Sequence, residues 1–407
     1  MEKQISFLPK DSVNAKLNNV DIEKSSYINE RSVHYYNIDK LKVPKDKLTM
    51  IDLFSGAGGF SVGGELAGFF PVFGNDYFEP ALSTWMHNHP NSIACFGDIK
   101  NVKSKEVKAI LKNHGVNKIN LITAGVPCQG FSLANKKRNS EDDRNFMFLE
   151  LMKYVEVFKP DYVVVENVNG MRSTAGGKFI NEIKDALENL SYNVSIDLLN
   201  AADYGVPQIR KRLIFVGVKN DSGLIKEYKF PERTHNENEY LTVYDAISDL
   251  PELNNNEKKS RYESSIITDY QRQMRGEDNS KIGKPKKLFN HESPNHSDDT
   301  IQRIKNTTPG EPMYERYKQR IRLSFNKPSP TQVAGGIRPQ FQFGHPIQAR
   351  GLTIRERARI QSFPDNYEFL GGLVQERVQT GNAVPPLLVY HLLKSIYKDI
   401  KRRDNNV

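Results

Sequence analysis

A chain of 407 residues with 38% hydrophobic composition can bury a large core and is long enough for two or three domains. Its two cysteines exclude a disulfide framework, and no signal peptide or membrane-length apolar run is found, so a soluble protein of the reducing cytoplasm is expected. The net charge of +9 is uneven: residues 251–350 hold 18 Lys and Arg against 11 Asp and Glu, which suggests a polyanionic partner, the alternative being a solvated basic surface.

Residues 1–47 are polar, rich in Asn, Lys and Ser, and without period; they form an extension with no assigned function. Leu48 to Phe54 is an apolar run containing Asp52. It leads into Ser55-Gly56-Ala57-Gly58-Gly59-Phe60 and a helical pattern to Leu66. Strand, glycine turn and helix open a nucleotide-type binding unit, because glycines let the backbone approach a ligand and a helix start points free N–H groups at it. The spacing is not that of the dinucleotide fingerprint, and a plain tight turn is the alternative. Phe70 to Phe73 reads as a second strand ending at Gly74-Asn75-Asp76-Tyr77. Asp76 there suits ribose hydroxyls and Tyr77 an adenine face, unless Asp76 only caps a helix. Asp98, after a third short strand, either takes an adenine amino group or caps the helix from Ser104.

Ile119 to Thr123 reads as a buried strand, and Gly125-Val126-Pro127-Cys128-Gln129-Gly130-Phe131-Ser132 follows it. Cys128 therefore sits just past a strand end, where open α/β sheets place ligands, on a loop stiffened by Pro127. This setting favours a reactive thiol over an inert buried one. The charged stretch Ala134 to Asn145 is long for a loop and either closes over a substrate or is merely solvated. Phe146 to Phe158 has helical spacing. Asp161 to Val165 is a β-branched strand running into Glu166-Asn167-Val168. A buried strand end favours the protonated form of a carboxyl group, so Glu166 reads as a proton donor near neutral pH.

A helix at Ile180 to Leu190 and a strand at Val194 to Leu199 precede Gln208-Ile209-Arg210-Lys211-Arg212, which enters the strand Leu213 to Val218. Alternation sets Gln208, Arg210 and Arg212 on one side of an extended chain, where two guanidiniums suit a phosphate or a base edge. Over 219–350 the α/β alternation is lost and a second, less regular domain is expected, ending in the polar loop Ser329 to Gly336. Leu352 to Phe363 is again helical, with Thr353 and Glu356 spaced as a capping box. Gln379 to Pro386 precedes an apolar helix, Leu387 to Ile400.

Taken in order, Asp52-Leu53-Phe54-Ser55-Gly56-Ala57-Gly58-Gly59, Pro127-Cys128-Gln129-Gly130-Phe131-Ser132, Glu166-Asn167-Val168, Gln208 to Arg212, Arg355-Glu356 with its helix, and Gly381-Asn382-Ala383-Val384 closely resemble the motifs of DNA (cytosine-5)-methyltransferases, of the bacterial restriction-modification type. The resemblance covers about residues 49 to 402. Asp76 departs from it, since many members carry Glu there, and Tyr77 stands where some carry another aromatic.

The resemblance implies a doubly wound, Rossmann-like α/β domain that uses S-adenosyl-L-methionine, with a smaller, irregular target-recognition domain. The corresponding boundaries are a polar extension at 1–47, a catalytic and cofactor-binding domain at 48–218, a DNA-reading domain at 219–350, and a C-terminal segment at 351–407 whose helix, 384–402, returns to the catalytic domain. It implies Cys128 as the nucleophile that adds to carbon 6 of cytosine, Glu166 at ring nitrogen 3, Arg212 at the ring carbonyl, and Arg210 and Gln208 ordering the site. The cofactor would lie against Phe54, Ala57, Gly59, Asp76, Tyr77, Asp98, Ile99, Pro127, Met147, Asn382 and Val384; no metal is expected. The target base would be flipped out of double-stranded DNA. A monomer is expected, with a restriction endonuclease as functional partner. A tRNA methyltransferase of the same fold and a non-catalytic DNA-binding regulator are the alternatives. A dinucleotide oxidoreductase fails, because the glycine fingerprint is missing and Cys128 and Glu166 would have no task.

Overall fold

The computed structural model describes residues 32–126, 145–168, 170, 178–278, 282–334 and 342–406. Cys128, Pro127 and the loop 134–144 lie outside the described residues. The chain divides into two compact units. The first comprises the residues up to Leu198, Arg212–Phe230, and Lys394 onward; the second comprises Leu199–Lys211 and Pro231–Leu393.

The first unit holds an eight-stranded sheet. Its strands are β1 (His34–Tyr36), β2 (Leu48–Leu53), β3 (Phe69–Asp76), β4 (Ile93–Phe96), β5 (Leu121–Gly125), β6 (Tyr162–Val168), β7 (Tyr192–Asn200) and β8 (Lys211–Lys219), in spatial order β1-β4-β3-β2-β5-β6-β8-β7. The run from β4 to β6 is parallel, β8 is antiparallel to β6, and β1 is antiparallel to β4. Met50, Ile51, Leu121, Ile122, Val163 and Val164 are fully buried, as the apolar composition of parallel strands requires. From β2 the chain builds outward to β3 and β4, then crosses back to β5 and β6. The reversal falls between β2 and β5, and open α/β sheets bind ligands at the carboxyl ends of strands at such a point. The alternating α/β pattern and the doubly wound sheet agree with expectation.

Several boundaries differ from those read in the sequence. β2 stops at Leu53 because Phe54 turns to φ 54°. β3 runs on to Asp76 because β2 and β4 pair with it on both sides. β5 begins at Leu121 rather than Ile119. Its predecessor Asn120 is spent on its neighbours, its side chain accepting from Thr49 N at 3.0 Å and donating to Asp161 at 2.9 Å. Part of the polar extension is a sheet strand, β1.

The second unit is less regular, with short helices at Val243–Ile247, Asp269–Met274, Asp298–Asn306, Ile354–Ile360 and Leu373–Asn382 and one parallel pair, Ile321–Arg322 with Phe343–Gly344. The expected capping box is present: Thr353 Oγ1 accepts from Glu356 N at 3.1 Å, and Glu356 accepts from Thr353 N at 2.8 Å. The helix it starts is buried on all sides despite carrying Arg355, Arg357 and Arg359. Such burial demands partners. Arg359 forks onto Asp365 (2.6 and 2.7 Å) and reaches Asp249 (3.0 Å), while Arg355 donates to the carbonyls of Phe289, Pro364 and Tyr367. Arg350 holds Glu356 bidentately, which keeps that carboxyl well below the usual range although burial opposes it.

Residues 351–393 cluster with the second unit, and the helix Pro386–Asn405 contributes to the first only from Lys394. No described helix is long and apolar enough to cross a membrane.

Candidate active site

The turn after β2 is shaped by conformation. Phe54, Gly56 and Gly58 take φ of 54°, 52° and 89°, so a non-glycine residue carries backbone strain at the sheet's switch point. Asp76, at the end of β3, fixes the turn. Its Oδ2 accepts from Gly56 N at 2.7 Å and its Oδ1 from Phe78 N at 2.8 Å. Burial pushes this carboxyl above its usual range, against the pull of these backbone N–H groups. The Tyr77 backbone N–H also bonds this carboxyl, so three main-chain donors converge on it. Tyr77 beside it is 58% exposed.

Asp98 is half-buried and accepts from Lys100 N at 3.0 Å. Neither carboxylate caps a helix with its side chain: the helix Glu79–Asn88 starts from Phe78 and the helix Ser104–Asn113 from Lys103, both without a side-chain cap. Ala57, Gly59 and Ile99 are buried, and Ile99 belongs to the hydrophobic core. Phe54 and Met147 are partly buried against that core.

Beneath the turn lies Asp52, fully buried in β2. It accepts from Ser61 Oγ (2.6 Å), Ser61 N (3.2 Å) and Thr123 Oγ1 (3.0 Å), and Trp85 Nε1 donates to Ser61 Oγ at 2.8 Å. Burial pushes its carboxyl up to about 7. In the sequence Asp52 stands within a motif without a task of its own. The signal was there: a lone carboxylate inside an apolar strand must find donors.

Glu166 sits within β6, paired with Gly125 of β5 on one side and Ile214 of β8 on the other. Arg212, opposite Val168, reaches it diagonally, with Nε 2.6 Å from Oε1. Both side chains are nearly buried, so the guanidinium neutralises a charge that the strand end would otherwise bury alone. Oε2 points the other way, 4.0 Å from where a side chain on Gly125 would begin. Glu166 thus faces the end of β5, from which the chain runs three residues to Cys128.

Gln208 and Arg210 have a different surrounding. Both are buried in the second unit. Arg210 donates to the carbonyls of Gln332 (3.1 Å), Gly381 (3.1 Å) and Asn382 (3.4 Å), and Gln208 bonds Gln361 Oε1 and accepts from Gln332 N at 2.9 Å. β8 begins only at Lys211, so Gln208 and Arg210 precede the strand that carries Arg212, and both bond within the second unit. Asn382, exposed, and Val384, buried, also lie in the second unit. Gln332 and Gly381 were missed as partners, since nothing local in the sequence couples them to Arg210.

Residues 48–398 match the C-5 cytosine-specific DNA methylase family. The chain belongs to that family. The methylase is 36% identical over 363 residues to the type II methyltransferase M1.HphI of Haemophilus parahaemolyticus, covering 86% of this chain and 87% of that one. It is 33% identical to M.DdeI of Desulfomicrobium norvegicum, with 86% and 88% covered. Among solved structures, an E. coli protein assigned as a prophage-encoded DNA modification methyltransferase superposes with a TM-score of 0.71 at 26% identity, covering 87% of the methylase and all of that chain. S. pombe Dnmt2 shares the fold alone, with a TM-score of 0.57 at 17% identity over 87% of the methylase and 99% of its own chain. The methylase is therefore a DNA (cytosine-5)-methyltransferase of the type II restriction-modification kind.

Proposed function

We propose that this enzyme methylates carbon 5 of one cytosine in a short double-stranded DNA sequence through a covalent bond to Cys128, protecting that sequence from a restriction endonuclease. The observation that carries the reading is the Glu166–Arg212 pair at the carboxyl end of β6, with Glu166 facing the strand that leads to Cys128.

Carbon 5 of cytosine is a weak nucleophile. Addition of the Cys128 thiolate to carbon 6 turns the ring into an enamine-like nucleophile. A carboxyl group at ring nitrogen 3 favours that addition by a hydrogen bond or a proton, and Glu166 takes this part. Arg212, fixed by Glu166, holds the ring carbonyl through its guanidinium. After carbon 5 has accepted a methyl group, loss of its proton expels the cysteine. The ring face is inaccessible in a duplex, so the base is flipped out at a cost of roughly a few kcal/mol. Gln208 and Arg210 act at a distance, by ordering the loops that they fasten.

S-adenosyl-L-methionine supplies the electrophilic methyl group when bound. The Asp76 carboxyl at the end of β3, the exposed ring of Tyr77 and the open glycine turn at 56–58 fit a ribose and an adenine at the sheet's switch point. Asp98, Phe54, Ala57, Gly59, Ile99, Pro127, Met147, Asn382 and Val384 complete the proposed set. The working enzyme is a monomer.

Bisulfite sequencing of a plasmid incubated with the protein and S-adenosyl-L-methionine tests this. Protected cytosines in one short context establish the DNA activity and reveal the recognition site. Complete conversion, with cofactor binding demonstrated separately, turns the reading to an RNA substrate or a regulator. A Cys128→Ser protein that still methylates DNA refutes the covalent route.

A further inference from the structure

The segment before β2 reaches the carboxyl edge of the sheet at the same place as the proposed cofactor site. β1 pairs antiparallel to β4 with His34 opposite Phe96, while Phe96 lies opposite Asp76 of β3. Asp76, Phe96 and His34 therefore form one row across three strands. The residues preceding His34 continue beyond that row, over Gly97.

There they pack on main chain. Gly97 has φ 149°, and a side chain on it would begin 3.3 Å from both Ser32 O and Val33 Cγ2 and 3.4 Å from Val33 Cα. From the opposite side Asn75 Nδ2 donates to the carbonyls of Cys95 (2.9 Å) and Gly97 (3.0 Å), and Gly97 N donates to Asp76 O at 3.2 Å. The His34 ring lies nearly parallel to that of Phe96, 6.3 Å between centroids. Val33 and Tyr35 pack on the hydrophobic core, so the strap is anchored rather than draped. Gly97 carries Asp98 and Ile99 directly behind it.

We infer that Ser32–Tyr36 is a positioning element of the cofactor site: Val33 presses on Gly97 and holds the Gly97-Asp98-Ile99 turn at the height of Asp76. A turn clamped between Asn75 and Val33 is ordered before its ligand arrives, so binding need not fix it. This inference rests on the proposed cofactor site.

The test uses the full chain, its Val33→Gly variant and a chain lacking residues 1–36. S-adenosylhomocysteine affinity is measured by calorimetry and mixed-sequence duplex affinity by anisotropy, with steady-state methylation alongside. Val33→Gly is expected to weaken S-adenosylhomocysteine binding by about tenfold, to raise KM for the cofactor more than it lowers kcat, and to leave duplex affinity in place. The deletion is expected to exceed it in the same direction; should the deleted chain not fold, the point variant carries the test. Unchanged S-adenosylhomocysteine affinity in Val33→Gly overturns the inference, as does an equal fall in affinity for duplex, which marks general loss of structure. A full chain that binds no S-adenosylhomocysteine removes the cofactor reading itself.

Discussion

Arg212 Nε lies 2.6 Å from Glu166 Oε1, on a diagonal between two antiparallel strands. The pair is held by sheet register rather than by a loop, so its geometry survives small changes in either side chain. Glu166→Gln keeps the shape and removes both the charge and the acid. Methylation at saturating cofactor should fall by about 10²–10⁴-fold, the usual span for a lost general acid, on top of a lower melting temperature because Arg212 loses its counter-charge. Transfer of labelled methyl groups to plasmid DNA measures this, and a rate near that of the unaltered enzyme would reduce Glu166 to a structural role.

Asp52 makes stability depend on pH in an unusual direction. Burial raises its folded carboxyl to about 7, from 3.8 in the open chain. Between those values the folded state keeps a proton that the unfolded state has released, so this group's contribution falls as pH rises through the window. The loss is on the order of 4 kcal/mol when complete. An asparagine can accept from Ser61 and donate to Thr123, whose hydroxyl has Ile51 O within 3.4 Å. Asp52→Asn should thus show a flatter melting temperature from pH 4 to 7 than the parent and be the more stable of the two at pH 8. Parallel thermal melts decide it; identical slopes would contradict the assignment.

Gly381 tolerates no side chain. A Cβ there would lie 2.3 Å from Val333 O and 2.4 Å from its carbonyl carbon, backbone against backbone. Gly381→Ala should cost about 1–3 kcal/mol or more, as overpacking does, read as a lower urea midpoint.

Arg210 should behave as a structural arginine. Replacing it with leucine strips donors from three carbonyls, Gln332 on a loop and Gly381 and Asn382 at the end of the helix Leu373–Asn382. A loss of about 3 kcal/mol is expected, since each buried acceptor left unmet costs about 1–3 kcal/mol. Activity should fall with the folded fraction. Full stability with abolished turnover would instead return Arg210 to the chemistry.

What the sequence made legible was local or periodic. The Thr353–Glu356 box reads correctly because both partners lie within one turn, and the parallel core of the sheet reads correctly because its strands are continuous apolar runs. The helix Leu373–Asn382 escaped notice: it opens on Gly372 and holds few apolar residues, so no stripe announces it. Alternation sets Arg210 and Gln208 beside Arg212 on a ligand-facing side. Their partners, Gln332, Gln361 and Gly381, are more than a hundred residues away in sequence and are visible only in the fold. β1 was hidden in a polar extension because three residues are too few to show alternation.

The final helix has a consequence for how the protein is made. Asp399 accepts from Tyr162 Oη at 2.6 Å, and Arg403 forks onto Asp161 at 2.7 and 2.9 Å, so the last turns of the chain close onto the root of β6. A ribosome exposes β6 long before it releases residue 399. During that interval the central strand's base lacks its partners, and the Asp161 carboxylate lacks its guanidinium. Completion of the first unit therefore waits until residues 399–403 have left the ribosome, and a nascent chain stalled short of Asp399 should be far more sensitive to protease than one that includes Arg403.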